Sequence, residues 1–250
     1  MVYFSPSTNQ IFVEKFSRRI CVSVYGRDLR ELRNNVALAQ SFDPGYIEFR
    51  LDYLTAALEK LRQLKQQNYP STEIFTFRSR REGGTARVSE KVRKQILMEI
   101  LSEIAPPLID IEISTLNVFS EIVDSLHRSA SRKTKLIASS HNFQKTEDLQ
   151  ILEDIVKTAA KQYHPEVIKV VRQANHFEDN LKMLSLYRLA EEIKPTRLVA
   201  FCMGALGIFS RVACVSYGSP FTYASLPSRE TASGQLDVKI IKTLLDSWEM

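Results

Sequence analysis

Lys169 is the residue whose sequence setting points most directly to chemistry. It lies in the run 166–171, where β-branched residues predict a buried strand, and it is flanked by Ile168 and Val170 with no carboxylate beside it. Burial disfavours the ammonium form of such a lysine and lowers its pKa. A lysine that is neutral near pH 7 is a nucleophile whose natural targets are ketones and aldehydes. The alternative is that Lys169 points outward from a half-exposed strand and extends its amine to water.

Two further residues could move or direct a proton beside such an amine. His141 ends the apolar run 135–140, and an imidazole titrates near neutral pH and can act as a general acid or base beside an imine. Glu82 lies in a turn marked by Gly83 and Gly84, and a carboxylate beside His141 would fix the ring tautomer and stabilise the imidazolium. Both residues also have ordinary interpretations: a strand-end histidine is often structural, and Glu82 could be a charge in a loop.

The elements that must position these residues follow from a regular alternation along the chain. Short apolar runs occupy 20–25, 46–52, 73–78, 108–113, 134–140, 166–172, 197–203 and 221–225. Between most of them lie segments with helical spacing, clearest in 54–67, 88–104 and 147–160. Asn117, Thr146 and Asn175 stand where helix N-caps are expected.

Eight strands in strict alternation with helices predict an α/β fold, a (β/α)₈ TIM barrel. An open doubly wound sheet is the alternative, but strand one is followed by Tyr25-Gly26-Arg27-Asp28 rather than a glycine-rich phosphate turn. We expect a single catalytic domain over residues 1–250. The barrel would occupy 20–250, and residues 1–19 would be an N-terminal extension, with a hairpin that closes the bottom of the barrel as its candidate form.

In a barrel of this kind the carboxyl ends of the strands converge on one face, where the active site lies. The polar residues at these predicted ends form a rich ionisable set. They are Ser23, Glu48, Arg50, Asp52, Arg78, Glu82, Glu112, His141, Lys169, Arg172 and Arg211, with Thr231 and Gln235 beyond strand eight. Strands five and six are neighbours in a barrel, so we expect His141 and Lys169 to meet at the mouth.

Composition narrows the class of protein. The chain has 250 residues, of which 44% are hydrophobic and 25% are charged, as in ordinary globular proteins. Its three cysteines are odd in number and not spaced as zinc ligands, which indicates a reducing compartment. The first sixteen residues lack an apolar core of signal-peptide length, and the longest apolar run, 198–209, is too short to span a bilayer. We therefore expect a cytoplasmic protein with no membrane contact.

The charge pattern argues for a small anionic ligand. Net charge is +5, and the one basic cluster, Arg78-Ser79-Arg80-Arg81, is not interleaved with aromatic residues. A nucleic-acid surface would need a broader basic stripe, so we expect no nucleic-acid partner. With no His-x-x-x-His and no cysteine pair at ligand spacing, we also expect no metal and no other cofactor.

Several segments, taken together, resemble one known family. They are Ile47-Glu48-Phe49-Arg50-Leu51-Asp52, Phe75-Thr76-Phe77-Arg78-Ser79, Glu82-Gly83-Gly84, Ile109-Asp110-Ile111-Glu112, Ser140-His141-Asn142-Phe143, Ile168-Lys169-Val170, the stretch from Met203 to Arg211, and Gly234-Gln235. Their order and spacing resemble those of the type I 3-dehydroquinate dehydratases of the shikimate pathway. That family is a (β/α)₈ barrel that forms an imine with its substrate.

The resemblance implies a role for each matched residue. Lys169 resembles the Schiff-base lysine, His141 the general acid/base and Glu82 the carboxylate that orients it. Arg211 and Gln235 resemble the clamp on the substrate carboxylate, with Thr231 close by. Glu48, Arg50 and Arg78 resemble the residues that bind ring hydroxyls and hold the local charges. Ser23, Met203 and Tyr223 resemble pocket-lining residues.

The resemblance also implies a reaction: a hydro-lyase would convert 3-dehydroquinate to 3-dehydroshikimate and water without a cofactor, in a homodimer. Members are sometimes fused to shikimate dehydrogenase, so the chain could be part of a longer protein. Three departures from the family pattern are Thr231 in place of a common serine, Phe201 where methionine can occur, and the bulky Val170-Val171-Arg172 after the lysine.

Two other functions remain open at the sequence level. A class I aldolase would share the imine-forming lysine, but sugar-phosphate aldolases usually need a phosphate-binding loop after strands seven and eight. A non-catalytic barrel that binds a metabolite is the second alternative. A degenerate sensor of that kind would be expected to have lost at least one of Lys169, His141, Glu82 and Arg211, and all four are present.

Overall fold

The computed structural model describes residues 2–4, 11–13, 16–54, 70–128 and 134–248. Two short strands, β1 (Val2–Phe4) and β2 (Ile11–Val13), pair antiparallel. The strands that follow are β3 (Ile20–Val24), β4 (Tyr46–Arg50), β5 (Thr72–Thr76), β6 (Leu108–Glu112), β7 (Lys135–Asn142), β8 (Val167–Gln173), β9 (Arg197–Met203) and β10 (Thr222–Ser225). The described helices are α1 (Leu29–Gln40), α2 (Glu90–Glu99), α3 (Ile113–Leu116), α4 (Ser120–Arg128), α5 (Leu149–Tyr163), α6 (Glu178–Ser185), α7 (Ile208–Ala213) and α8 (Val238–Ser247).

The eight longer strands form one parallel sheet in the order β10-β3-β4-β5-β6-β7-β8-β9. The sheet curls into a nearly closed barrel whose seam lies between β9 and β10. Phe201 of β9 and Tyr223 of β10 face each other across this seam, with ring centroids 6.2 Å apart. The predicted α/β fold of (β/α)₈ type is confirmed. The predicted closure of the barrel bottom by residues 1–19 stays a prediction.

The barrel positions the site through the two-residue period of its strands. In β8, Ile168 and Val170 are fully buried beneath the surrounding helices, so Lys169 between them faces the barrel interior. In β6, Ile109 and Ile111 are buried in the same way, which turns Asp110 inward. Strands that are covered on both faces have continuous apolar runs in their sequence, and here the inward charged residues interrupt those runs.

The helices agree only in part with the sequence expectations. The predicted N-caps Asn117, Thr146 and Asn175 are wrong: Asn117 follows the end of α3, the hydroxyl of Thr146 donates to the carbonyl of Gln173, and Asn175 lies three residues before α6. Helix 88–104 is confirmed as α2, which continues into a π-helical turn over Ile100–Ile104. The helix predicted at 54–67 lies almost entirely outside the described residues.

Asn180 on α6 fixes the segment that carries Arg211 into the barrel. Its side-chain amide donates to the carbonyl oxygens of Phe177 and Leu206, at 3.0 and 2.8 Å. Its carbonyl oxygen accepts from the backbone amide and the hydroxyl of Ser210, at 3.1 and 2.6 Å. The fully buried side chain therefore ties α6 to the β9–α7 connection and to the first turn of α7.

We predict that Asn180→Ala lowers the free energy of unfolding by about 1–3 kcal/mol, because it leaves the buried backbone amide of Ser210 without a partner and removes the bond between α6 and Leu206. Urea-induced equilibrium unfolding measures this value. Glu178→Ala, an exposed change on the same helix, is the control and should stay within about 0.5 kcal/mol of the parent. Equal losses of unfolding free energy in the two variants would show that the hydrogen bonds of Asn180 make no specific contribution to stability.

Candidate active site

A cavity lined by polar and apolar side chains opens at the carboxyl ends of the strands. All twelve residues predicted for the site line it. They are Ser23, Glu48, Arg50, Arg78, Glu82, His141, Lys169, Met203, Arg211, Tyr223, Thr231 and Gln235. The barrel thus collects side chains from β3, β4 and β7 to β10, from α7, and from the loops that follow β5 and β10.

Lys169 lies on the floor of this cavity with only 3% of its surface exposed, so it does not point outward to water. Its Nζ lies 2.6 Å from Oδ2 of Asp110, 3.8 Å from Oε1 of Glu48 and 3.2 Å from the hydroxyl of Tyr223. The expectation that no carboxylate stands beside it is therefore wrong. The two carboxylates come from β6 and β4, which are distant in sequence but neighbouring in the barrel.

Arg78 shares Asp110 with the lysine. Its guanidinium lies 2.9 Å from Asp110, 3.3 Å from Glu112 and 2.8 Å from the hydroxyl of Ser139. Burial alone would raise the pKa of Asp110, but Arg78 and Lys169 outweigh it and hold that pKa well below its usual range. Burial likewise opposes the charge on Arg78, yet Asp110 and Glu112 raise the pKa of Arg78 well above its ordinary value. The floor of the site is therefore a set of fixed charges.

Glu48 and Arg50 are held on the β4 side of the cavity. Glu48 accepts hydrogen bonds from the hydroxyl groups of Ser23, at 2.6 Å, and Thr76, at 2.9 Å. Arg50 donates two hydrogen bonds to Asp52, at 2.8 and 2.9 Å, in a bidentate pair. Both side chains are thus fixed before any ligand enters.

His141 and Glu82 form a pair above the floor. Nδ1 of His141 lies 3.0 Å from Oε2 of Glu82, which also accepts from the backbone amide of His141 at 3.0 Å. The hydroxyl of Ser114 donates to the other oxygen of Glu82, at 2.8 Å. The contact engages Nδ1 and leaves Nε2 available to exchange a proton with a ligand.

The register places His141 one layer nearer the mouth than Lys169. Ser139 is the β7 partner of Lys169, so His141 lies two residues further along, about 6.6 Å in strand rise. Burial lowers the pKa of His141 well below its ordinary value, and the cationic Arg78 and Lys169 lower it further. Burial raises the pKa of Glu82, although Arg78 acts in the opposite direction.

Arg211 is a buried cation, and no carboxylate of the described residues forms an ion pair with it. Only 2% of its surface is exposed, its guanidinium lies 4.6 Å from the centroid of the Phe201 ring, and burial lowers its pKa to about 10. Within the described residues, its Nε and Nη2 have no hydrogen-bond partner. An unpaired buried charge is costly, so this guanidinium offers a built position for an anion.

The loop after β10 closes the cavity beside Arg211. The side-chain oxygen of Gln235 accepts from both the backbone amide and the hydroxyl of Thr231, at 2.9 Å each. Gly234 has φ of 69°, and a Cβ at this position would lie 2.4 Å from the carbonyl oxygen of Gly204. Glycine is therefore required where this loop packs against the end of β9.

Several residues of the site were not predicted from the sequence. Gly83, Phe143, Val171, Phe201 and Ala232 also line the cavity, and Asp110 and Ser139 hold the charges beneath it. The alternation of Asp110 and Glu112 with isoleucines in a buried strand was the available signal for an inward pair of carboxylates. Phe143 gave no signal of its own. Its ring stacks at 6.4 Å on His141 at the rim.

No group of three or more His, Cys, Asp or Glu side chains in the described ranges is arranged to hold a metal ion. No helix in the same ranges is long and apolar enough to cross a membrane.

Comparison with known proteins identifies the family. Residues 20–250 match the family model described as type I 3-dehydroquinase. The chain belongs to this family. Membership makes it a hydro-lyase of the shikimate pathway. This function replaces the two alternatives left open by the sequence, an aldolase and a non-catalytic barrel.

Individual relatives agree with this family. A 3-dehydroquinate dehydratase of Pyrobaculum aerophilum is 39% identical over 191 residues, which are 76% of this chain and 59% of that protein. One of Thermococcus onnurineus is 34% identical over 80% of this chain and 85% of the relative. The crystal structure of the 3-dehydroquinate dehydratase of Geobacillus kaustophilus is 26% identical, with a TM-score of 0.80 over 93% of this chain and 91% of that one.

Some relatives contain a second activity in the same chain. The bifunctional 3-dehydroquinate dehydratase/shikimate dehydrogenase of Arabidopsis thaliana is 30% identical over 91% of this chain, which covers 36% of that protein. The fusion considered from the sequence is therefore a feature of some homologues.

We predict that the imidazole of His141 titrates at a pH below 6.5, the ordinary value, because burial and two neighbouring cations oppose its protonation. The neutral form then persists as pH falls through 6.5 and is lost only at lower pH. Titration of the histidine ring resonances by NMR measures this midpoint, and His141→Asn assigns the signal. A midpoint at or above 6.5 would contradict the electrostatic description of the site.

Proposed function

We propose that this chain dehydrates 3-dehydroquinate to 3-dehydroshikimate through an imine on Lys169, with His141 as the general acid/base and Glu82 as its positioning partner. The observation that carries the proposal is a single cavity that holds a buried lysine, a His–Glu pair and an arginine with no counter-charge. A cyclic β-hydroxy ketone with a carboxylate has one group for each of these three features.

Substrate binding would begin with the carboxylate. Its two oxygens can accept in parallel from Nε and Nη2 of Arg211, a geometry that a lysine does not reproduce. Thr231 and Gln235 lie in the loop beside this position, and Met203 lines the same wall. Ring hydroxyls would then face Glu48, Arg50 and Arg78, whose side chains are already fixed by their own contacts.

The covalent step would place the ketone carbon on Nζ of Lys169, and loss of water would give a protonated imine. This cation takes the place of the ammonium beside Asp110, so the ion pair is kept. The imine acidifies the adjacent C–H bond, and His141, one layer above, removes the proton. The enamine then expels the β-hydroxyl as water with a proton from His141, and hydrolysis releases the enone and Lys169.

We also propose the wider setting of the enzyme. Residues 1–250 would form one catalytic domain, with the barrel over 20–250, a proposal supported by the continuous parallel sheet. Three buried free cysteines support a cytoplasmic location, where thiols stay reduced. A homodimer is supported by the family resemblance and by exposed apolar side chains on neighbouring helices, among them Leu181 of α6 and Phe209 of α7.

We predict that borohydride reduction in the presence of 3-dehydroquinate attaches the substrate skeleton to Lys169, and that Lys169→Ala abolishes both this adduct and turnover, because no other group can form the imine. Intact-protein and peptide mass spectrometry locate the adduct, and the ultraviolet absorbance of the conjugated enone reports turnover. His141→Ala serves as the matched comparison. It should lose about 10²–10⁴-fold in kcat yet still form the adduct.

The two variants separate the two roles. Wild-type protein that never gains the adduct mass would refute the imine. Normal turnover by His141→Ala would refute the assignment of the acid/base.

We predict that Arg211→Lys raises KM by about 10–100-fold, because it keeps the charge but loses a charge-assisted hydrogen bond of about 1.5–3 kcal/mol. Steady-state kinetics measure this change. Arg188→Lys is the control, since that side chain is exposed on the outside of the barrel, and its KM should match the parent. Equal KM in all three proteins would place the substrate carboxylate elsewhere.

A further inference from the structure

The ammonium of Lys169 carries two protons that must leave before it becomes an imine. Its Nζ bears three hydrogens, whereas the nitrogen of a protonated imine bears one. The ketone oxygen gains two hydrogens as it leaves as water. The overall change, ammonium plus ketone to iminium plus water, balances with no proton from outside. What the site must supply is therefore a path from Nζ to the ketone oxygen.

Two of the three polar neighbours of Nζ are poorly suited to carry protons from Nζ to the ketone oxygen. Asp110, at 2.6 Å, has a pKa held well below its usual range by Arg78 and Lys169, so it stays a carboxylate. Glu48 lies further away, at 3.8 Å, and both its oxygens already accept from Ser23 and Thr76. Since nitrogen is cationic before and after the reaction, Asp110 can remain its counter-charge throughout.

The third neighbour is the phenol of Tyr223. Its hydroxyl oxygen accepts from Nζ at 3.2 Å, and its ring centroid lies 4.5 Å from the same nitrogen. Within the part of the chain that the structure describes, this hydroxyl has no acceptor for its own proton. The oxygen of the attacked ketone is two bonds from Nζ, so a group in contact with Nζ can also reach that oxygen.

We propose that Tyr223 is a catalytic residue whose hydroxyl relays both protons from Nζ of Lys169 to the departing ketone oxygen. This inference rests on the imine mechanism proposed above and deepens it. In the first relay the phenol accepts a proton from Nζ and passes its own to the ketone oxygen as the amine attacks, which gives a carbinolamine. In the second it repeats the transfer, and the C–O bond breaks to release water. Each relay leaves the phenol neutral.

The electrostatics of the phenol fit a relay better than a base. Burial raises the pKa of Tyr223 well above its ordinary value, and the nearby carboxylate of Glu48 raises it further. A phenol in this setting does not ionise, but it can accept and donate a proton in one motion. His141, one layer nearer the mouth and bound to Glu82, is then left to the C–H bond and the β-hydroxyl.

The test is the rate at which the Lys169 adduct forms in a single turnover, with excess enzyme mixed with 3-dehydroquinate and quenched with borohydride at increasing times. Tyr223→Phe should form the adduct on the order of 10²-fold more slowly than wild type. His141→Ala should form it at close to the wild-type rate. Tyr187→Phe is the matched control, because its buried hydroxyl bonds to the backbone of Ala200 and the residue does not line the cavity.

The outcomes are distinct. A wild-type rate in Tyr223→Phe would overturn the relay and leave the imine mechanism standing, whereas absence of any adduct in wild type would overturn the proposed function. Equal slowing in Tyr187→Phe and Tyr223→Phe would show a packing effect and also overturn the relay. The rate of adduct formation in wild type can also be measured in D₂O. A relay that moves two protons together predicts a slower rate in D₂O, with a curved dependence on the deuterium content of the solvent. Equal rates in D₂O and H₂O would contradict the relay.

Discussion

The ion pair between Lys169 and Asp110 is the constraint on which the rest of the site depends. A charged side chain buried inside a barrel of apolar strands needs counter-charges in place of its hydration. Asp110 provides one at 2.6 Å, and Arg78 in turn neutralises Asp110 at 2.9 Å. Lys169 and Asp110 lie on β8 and β6, and Arg78 lies just after β5, so the curvature of the barrel itself holds the amine in place.

This arrangement separates the chemical roles by layer. Fixed charges occupy the floor, where the nitrogen remains cationic from ammonium to imine. The His141–Glu82 pair lies above them, and Arg211 faces the cavity from α7. The groups that keep their charge thus lie on the floor, and the group that exchanges protons with carbon lies nearer the mouth. The depth of a residue in the barrel therefore corresponds to whether it keeps its charge or exchanges a proton with carbon.

Much of this could be predicted from the sequence, because strands buried on both faces give continuous apolar runs with polar residues at their ends. The strand positions agree with the structure to within about two residues at most ends. The surroundings of Lys169 could not be predicted in the same way, since Asp110 is 59 residues distant and only the register brings it close. The predicted helix N-caps at Thr146 and Asn175 failed for a related reason. The hydroxyl of Thr146 donates to the carbonyl of Gln173, and the side-chain amide of Asn175 donates to the carbonyl of Gln144, both distant in sequence.

The unpaired guanidinium of Arg211 has a consequence beyond recognition. A buried cation that no carboxylate of the described residues pairs raises the free energy of the folded chain, while the unfolded chain hydrates the same group freely. Any small carboxylate that docks there relieves this penalty only in the folded state, so ligand and fold are thermodynamically linked. The enzyme should accordingly resist heat and proteolysis better when its metabolites are abundant, which would couple its lifetime in the cell to the flux it carries.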